Sequence, residues 1–316
     1  MHIVIITPAR SSSRSGNATT MLRWRRILRE LGHEVRVADA YDGSPTDLMI
    51  ALHAWRSAES IRRFRALYPD RPLIVALSGT DIYEYIARDP APVLHSLACA
   101  DRLLALQDLV RRRVPMRFRS KLRVLHQSAH PLRPGRKSTR SFDVAVIGHL
   151  RHVKDPMRAA LAARRLPASS RMRIVHYGAA ENPRWAAAAK AEMARNPRYV
   201  WRGDRPRAEV GRLLGRARAM VLSSRSEGGA NVISEAVAAK VPILASRIDG
   251  SVGLLGRDYP GYFPVGNTAA LARLLHRVES DPPYLSRLQR AIARRALLFR
   301  PAREKAAWKK LIRELA

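Results

Sequence analysis

The sequence predicts an α/β protein built from two parallel sheets, each covered by helices. Short apolar runs typical of buried strands alternate with amphipathic, helix-like stretches along the chain. A polar, charged stretch that contains Pro and Gly interrupts this alternation at residues 131–140, and the alternation then restarts. Because 316 residues are enough for two domains of ordinary size, we place the domains at residues 1–137 and 138–300.

The strand candidates are short aliphatic runs, and the helix candidates carry apolar residues at a period near 3.6. Strands are expected at residues 2–7, 34–38, 47–52, 72–77, 102–106, 123–126, 142–148, 172–178, 200–202, 220–223 and 242–245. Helices are expected at residues 19–31, 57–68, 155–165, 186–195, 207–216, 232–239, 268–277 and 301–316. Since parallel sheets bind ligands at the carboxyl ends of their strands, we expect both domains to face a shared cleft.

The composition is that of a globular protein from a reducing compartment. Apolar residues make up 47% of the chain and charged residues 27%. No apolar run is as long as a membrane span, and residues 1–8 are too short and too uncharged for a signal peptide. Cys99 is the single cysteine, which excludes a disulfide framework or a cysteine metal site. We therefore expect a cytoplasmic protein without stable membrane insertion.

The net charge of +32 raises the possibility of a nucleic-acid-binding protein. The excess is nearly all Arg, however, and it is spread over most helical segments instead of forming one patch. Aromatic residues that would stack on bases are scarce, at 6%. We interpret the positive charge mainly as the result of an Arg-rich composition, which also favours the binding of anionic substrates. We expect no nucleic-acid partner.

The most informative segment begins at Glu227 and ends at Glu235. An apolar run at residues 219–224 leads into a Gly-rich turn, and a helical pattern follows at residues 232–239. Backbone N–H groups at such a helix start, with no Cβ at Gly228 and Gly229, suit a phosphate or a sugar hydroxyl. The two carboxylates are a little over two helical turns apart and so can face one cavity. The alternative is a solvated Glu pair beside an ordinary loop.

Polar groups also follow the strands of the first half. A polar loop at residues 10–20 opens the first helix, but it lacks the pattern of a P-loop. Gln127 and Ser128 follow the last strand of this half. We expect one sheet edge to hold Gly16, His53, Thr80 and Asp81, with His53 or Asp81 placed for proton transfer. The predicted acceptor-binding residues are Gly16, Asn17, Arg56, Thr80 and Asp81.

In the second half, residues 148–156 end a strand and start a helix. Arg151 and Lys154 lie about one turn apart, so both can converge on a diphosphate and stabilise it as a leaving group. The chain has no Asp-x-Asp pair and no His/Cys cluster with ligand spacing, so we expect no metal. The alternative is a solvated helix start in an Arg-rich chain.

Together these motifs resemble GT-B glycosyltransferases of the family 4 type over nearly the whole chain. The resemblance implies a nucleotide-sugar donor on the second domain, an acceptor on the first, and residues 301–316 crossing back onto the first domain. It implies that Lys154 holds the diphosphate and Glu235 the ribose. The family's usual Arg after Gly148 is His149 here, so Arg151 is expected to take its role, and both His149 and Arg151 are expected to bind the donor. The residues expected to meet donor sugar and phosphate are Glu227, Gly228, Gly229, Ala230 and Asn231, and the expected catalytic residues are His53, Asp81, Lys154 and Glu227.

Several stretches resemble one subgroup more closely, the selenosugar synthases of selenoneine biosynthesis (SenB type). They are residues 15–20, 78–81, 148–156, 224–231, 250–256 and 259–264. Such an enzyme joins selenophosphate to the anomeric carbon of UDP-N-acetylglucosamine or UDP-glucose, and loss of UDP and phosphate leaves a 1-selenosugar. The resemblance therefore implies a UDP-sugar as co-substrate, selenophosphate as acceptor and no further cofactor.

Two other functions remain open at this point. The first is a family 4 type enzyme that uses a cell-envelope sugar or lipid acceptor and docks on membranes through a basic, aromatic-bearing face. Trp24 and Trp55 are the only tryptophans of the first predicted domain, which gives this alternative little support. The second is a basic nucleic-acid-binding protein, for which binding to DNA would fall steeply with salt.

Overall fold

A computed structural model describes residues 1–7 and 16–315, which form two compact units. The first unit comprises Met1–Ser128, Glu227–Asn231 and Arg300–Ala316, and the second comprises Ala129–Ser226 and Val232–Phe299. The first unit thus ends before the predicted boundary at residue 137. It also includes Glu227–Asn231, which the sequence analysis places in the second domain.

The first unit contains a six-stranded parallel sheet in the order β2-β1-β3-β4-β5-β6. Its strands are β1 (His2–Ile6), β2 (Glu34–Ala38), β3 (Leu48–Leu52), β4 (Leu73–Leu77), β5 (Arg102–Ala105) and β6 (Leu122–Val124). Its first helices are α1 (Gly16–Glu30), α2 (Ala58–Leu67), α3 (Ile86–Arg88) and α4 (Pro90–Cys99), with a π-helical turn at Asp81–Tyr85 and 3-10 turns at Asp108–Arg112 and Met116–Lys121. All residues of β3 and β4 are buried, because helices cover both faces of the sheet.

Alternate residues of β1 enter two different cores. Val4 and Ile6 pack on the side that holds Phe64 of α2, whereas Ile3 and Ile5 pack on the opposite side of the sheet. This follows from the two-residue period of a strand, which turns successive side chains to opposite faces.

The second unit contains another six-stranded parallel sheet, in the order β12-β11-β10-β7-β8-β9. Its strands are β7 (Phe142–Ile147), β8 (Met172–Tyr177), β9 (Tyr199–Trp201), β10 (Ala219–Leu222), β11 (Ile243–Ser246) and β12 (Tyr262–Phe263). Its helices are α5 (Arg158–Ala163), α6 (Pro183–Arg195), α7 (Arg207–Arg216), α8 (Asn231–Ala238), α9 (Asp249–Leu255), α10 (Thr268–Ser280) and α11 (Pro282–Arg295), with 3-10 turns at His152–Lys154 and Ala296–Phe299. The first residue of α8, Asn231, is counted with the first unit.

The last helix, α12 (Pro301–Arg313), returns to the first unit, as the resemblance implies. Trp308 of α12 is fully buried and meets Trp24 of α1 edge to face, with ring centroids 5.1 Å apart. The helix thereby completes the core on the α1 side of the sheet. Within the part of the chain that the structure describes, no helix combines the length and the apolar character that crossing a membrane requires.

Candidate functional site

His53 follows β3 directly and adopts a left-handed backbone conformation, with φ 78°. The backbone N–H of Arg56 donates to its Nδ1 at 3.2 Å, and its Nε2 lies 2.9 Å from Thr80 Oγ1. Because a backbone N–H can only donate, Nδ1 is unprotonated and Nε2–H donates to Thr80. Burial lowers the pKa of His53 below its usual 6.5, so the ring stays neutral. His53 therefore orients the half-exposed Thr80 hydroxyl, whose own proton remains available to donate.

Asp81, predicted to bind the acceptor or to transfer a proton, is held by the backbone around it. Its carboxylate is fully buried and accepts four backbone hydrogen bonds of 2.8–3.0 Å. Each carboxylate oxygen receives two of them, so proton transfer or substrate contact would break bonds that hold the loops after β3 and β4. Asp81 organises this sheet edge, and we assign it a positioning role. The four donors are Ala54, Ser78, Gly79 and Ile82.

The glycines of the Glu227–Asn231 segment are needed for packing within the first unit. A Cβ on Gly228 would lie 2.3 Å from the carbonyl carbon and oxygen of Ser78. A Cβ on Gly229 would lie 2.3 Å from Leu106 Cβ. Their position in the sequence predicts phosphate or sugar binding. The close packing beside β4 and β5 is an additional reason for Gly at both positions.

Asn231 and Gly16, predicted to meet different substrates, come together in the first unit. Asn231 Nδ2 lies 3.4 Å from the Gly16 carbonyl oxygen, and Asn231 Oδ1 accepts a hydrogen bond from Arg23. Arg23 was not singled out in the sequence because it is one of many arginines on amphipathic helices. Asn17 lies half-exposed in the first turn of α1. Residues 10–15 of the predicted polar loop lie outside the described residues.

Arg56, predicted to bind the acceptor, is exposed close to His53. Ala230, predicted to meet the donor, is buried at 7% exposure, whereas Glu227 is half-exposed. The first unit therefore gathers His53, Arg56 and Thr80 at the ends of β3 and β4. It also gathers Gly16 and Asn231 at the start of α1.

The second unit has a pocket at the carboxyl ends of β7 and β10. His149 and Lys154 line it, together with Ser223 and Ser224. The turn that carries Lys154 is fastened to β10, because the Ser223 hydroxyl lies 3.1 Å and 3.0 Å from the carbonyl oxygens of Lys154 and Asp155. This attachment holds the lysine turn against the sheet.

Two histidine rings of this pocket are held by backbone groups. His149 Nδ1 accepts from the Ala179 N–H at 3.1 Å, so the neutral ring of His149 has its proton on Nε2. His176 Nε2 donates to the Gly148 carbonyl at 3.0 Å. Burial lowers the pKa of His176 to about 4. His176 was missed in the sequence, where it is one residue of a strand pattern, and it supports the backbone under His149.

Two further predicted donor residues of the second unit, Arg151 and Glu235, do not line this pocket. Arg151 precedes the 3-10 turn and lies outside the lining of the pocket, so its contact with a diphosphate stays a prediction. Glu235 lies on α8 with its side chain 18% exposed, and Arg207 Nη2 lies 3.7 Å from its Oε1. The Arg207 side chain is 69% exposed, and such pairs contribute little, so a ligand can replace it at small cost. Among the described residues no three His, Cys, Asp or Glu side chains are grouped as metal ligands.

Solved structures of similar fold span the whole chain. The HepE protein of Anabaena, in complex with UDP and glucose, matches with a TM-score of 0.78 at 13% identity and 100% coverage of both chains. A sucrose-phosphate synthase from Thermosynechococcus elongatus matches with a TM-score of 0.81 at 14% identity, covering 99% of this chain and 98% of that one. A glycosyltransferase from Rickettsia africae matches with a TM-score of 0.75 at 13% identity, covering 99% and 98%. These similarities confirm the predicted GT-B fold class.

A family match covers the second sheet and its helices. The family described as "Glycosyl transferases group 1" matches residues 133–295, just over half of the chain. The match includes the pocket with His149 and Lys154 and the segment from Glu227 to Glu235. The chain therefore belongs to the glycosyl transferase group 1 family.

Proposed function

We propose that this protein transfers a sugar from a UDP-sugar and that the nucleotide binds at the sheet edge of the second unit, with its diphosphate at this pocket. The observation that carries the proposal is that Lys154 and His149, whose Nε2 carries the ring proton, both line this pocket. A cation and a neutral donor suit a diphosphate, and both stabilise the charge that develops when it departs. Structures of similar fold support the nucleotide, since HepE was solved with UDP-glucose as well as with UDP.

Two carboxylates are the proposed contacts of the rest of the donor. Glu235 accepts hydrogen bonds from the ribose hydroxyls once Arg207 is displaced. Glu227 meets the sugar. Both assignments rest on the family resemblance of the segment and on the partial exposure of the two side chains.

The proposed acceptor is selenophosphate, and the edge of the first unit supports this choice. Both predicted bases are already engaged in hydrogen bonds at this edge. Asp81 accepts four backbone hydrogen bonds, and His53 has its proton on Nε2, facing Thr80. A sugar hydroxyl needs a base to become a nucleophile, whereas selenium in selenophosphate is already anionic. Thr80 and Arg56 supply donors for its phosphoryl oxygens.

The proposed reaction has two steps. Selenium forms a bond to the anomeric carbon while the bond from that carbon to the UDP oxygen breaks, and UDP leaves with the electron pair. Water then cleaves the Se–P bond and releases phosphate, leaving the 1-selenosugar. Positioning of the two anions and stabilisation of UDP supply most of the catalysis in this scheme.

The test is to incubate the purified protein with UDP-N-acetylglucosamine or UDP-glucose and with selenophosphate, and to follow products by mass spectrometry. We expect a selenosugar, with UDP and phosphate released in equal amounts. Phosphate in place of selenophosphate is the matched control, because it has the same shape and charge but no selenium. If an alcohol or lipid acceptor is consumed and selenophosphate is not, the selenium assignment is contradicted and glycosyl transfer is retained.

A further inference from the structure

Arg23 of α1 has a buried guanidinium group whose donors are directed at three different parts of the first unit. Its side chain is 5% exposed. Nη1 donates to the Ser128 carbonyl at 2.6 Å, Nη2 donates to Asn231 Oδ1, and Nε lies 3.5 Å from Glu304 Oε1. A planar guanidinium fixes the directions of its donors, so these partners define one orientation of the side chain.

Glu304 of α12 is the counter-charge that keeps Arg23 in this position. Its side chain is fully buried and accepts from Trp24 Nε1 at 3.0 Å and from the N–H and hydroxyl of Ser128 at 2.7 Å and 2.5 Å. Removing one member of a buried ion pair leaves the other charge without compensation, which is strongly unfavourable. The C-terminal helix therefore supplies the buried charge beside Arg23 and helps to hold its guanidinium in place.

Arg23 in turn fixes the amide of Asn231. Since a guanidinium only donates, the atom of Asn231 that faces it is the oxygen. The amide nitrogen then faces the carbonyl of Gly16 and the hydroxyl of Thr20, each at 3.4 Å. Thr20 is itself held by Gln127, whose Nε2 donates to the Thr20 hydroxyl at 2.6 Å. Both ends of the amide are thus engaged, and Asn231 is the last residue of the Glu227–Asn231 segment.

We propose that Glu304 and Arg23 are positioning residues for glycosyl transfer: α12 fixes Arg23, and Arg23 fixes the Glu227–Asn231 segment through the Asn231 amide. The inference rests on the proposed function, in which Glu227 of this segment meets the donor sugar. It assigns a role in the reaction to the C-terminal helix, which contributes no residue to the nucleotide pocket.

The first test measures the segment itself and needs no activity. Hydrogen–deuterium exchange is compared for wild type, Arg23→Lys and Glu304→Gln, with Arg26→Lys on the exposed side of α1 as matched control. We expect amides of residues 227–231 to exchange at least about tenfold faster in the first two variants and unchanged in the control, because local opening becomes easier. Unchanged exchange in both variants overturns the inference. If Glu304→Gln does not fold, the exchange of residues 227–231 in Arg23→Lys alone tests the inference.

The second test is a double-mutant cycle in kcat with Arg23→Lys and Asn231→Ala. If Arg23 acts through Asn231, each change lowers kcat about tenfold and the double variant is no worse than the poorer single variant. If the two reductions of kcat multiply in the double variant, the inference is contradicted. A purely structural role would lower the melting temperature and leave kcat of the folded enzyme unchanged. If wild type transfers no sugar, the proposed function fails, whereas the exchange measurement still decides the positioning role.

Discussion

Gly79 and Gly228 pack backbone against backbone in the first unit. A Cβ on Gly79 would lie 2.6 Å from the backbone nitrogen of Gly228, and Gly79 has φ +125°, in the region that favours glycine. The turn after β4 therefore supports the Gly-rich segment directly. A loop whose glycines are fixed by packing is sensitive to a single added methyl group.

Gly228→Ala is expected to lower the free energy of unfolding by about 1–3 kcal/mol, because the new Cβ overlaps the carbonyl of Ser78. Sugar transfer is expected to fall at least tenfold, since residues 227–231 move. Gly211→Ala is the control: its nearest neighbour, Leu132 Cδ2, is at an ordinary 3.5 Å, and helix α7 favours Ala. Urea unfolding and initial rates measure both effects. Wild-type stability and activity in Gly228→Ala would contradict the packing role.

The contact between His53 and Thr80 predicts that His53 orients a hydroxyl and is not a base. His53→Asn, which tolerates the left-handed backbone, is expected to lower kcat about tenfold, less than the 10²–10⁴-fold typical for loss of a general base. Thr80→Val is expected to raise KM for selenophosphate about tenfold, with Thr80→Ser near wild type. Steady-state kinetics from pH 6 to 8 provide the measurement. A loss of several hundredfold in His53→Asn, together with a lost limb of the pH profile, would restore the role of base.

Lys154→Gln is expected to weaken UDP binding about tenfold or more, because a hydrogen bond to a charged group contributes about 1.5–3 kcal/mol and tenfold corresponds to about 1.4 kcal/mol. Lys190→Gln, an exposed lysine on α6, is the matched control with the same change of charge. Calorimetric titration with UDP gives the two dissociation constants. Equal losses in both variants would indicate a general effect of charge and refute a specific site at Lys154.

Local pattern was sufficient to predict most of the fold. The apolar runs of β3 and β4 are fully buried in the structure and lie within the predicted residues 47–52 and 72–77. The two-residue strand β12 was missed because two residues show no period. Helices α4, α9 and α11 are absent from the predicted helices. In α9, two of the seven residues are glycine, which disfavours helix.

The site was only partly predictable. Strand-end rules placed His53 and Thr80 on one edge, because His53 directly follows β3 and Thr80 lies in the turn after β4. The partners of each residue were not predictable, since they are distant in sequence: 208 residues separate Arg23 from Asn231, and 280 separate Trp24 from Glu304. No local pattern distinguishes a buried Arg23 from the other arginines of an Arg-rich chain.

His176 predicts a pH dependence of stability. Its folded pKa of about 4 lies below its usual 6.5, so the unfolded chain binds the extra proton and stability falls as pH drops from about 6.5 toward 4. At about 1.4 kcal/mol per pKa unit the contribution is about 3 kcal/mol. His176→Gln is expected to flatten this dependence in urea unfolding between pH 7 and 4, whereas exposed His276→Gln is expected to preserve it. An unchanged slope in His176→Gln would contradict the assignment.

Glu235 predicts how the enzyme distinguishes UDP from 2′-deoxy-UDP and 3′-deoxy-UDP. Wild type is expected to bind UDP about tenfold more tightly than at least one of these analogues, because a carboxylate accepts strong hydrogen bonds from ribose hydroxyls. Glu235→Met has similar length and no acceptor oxygens, so the ratio of dissociation constants is expected to approach one. Arg207→Met removes only the 69% exposed partner and is expected to leave the ratio unchanged. If Glu235→Met keeps the wild-type ratio for both analogues, the ribose is bound elsewhere and Glu235 has a structural role.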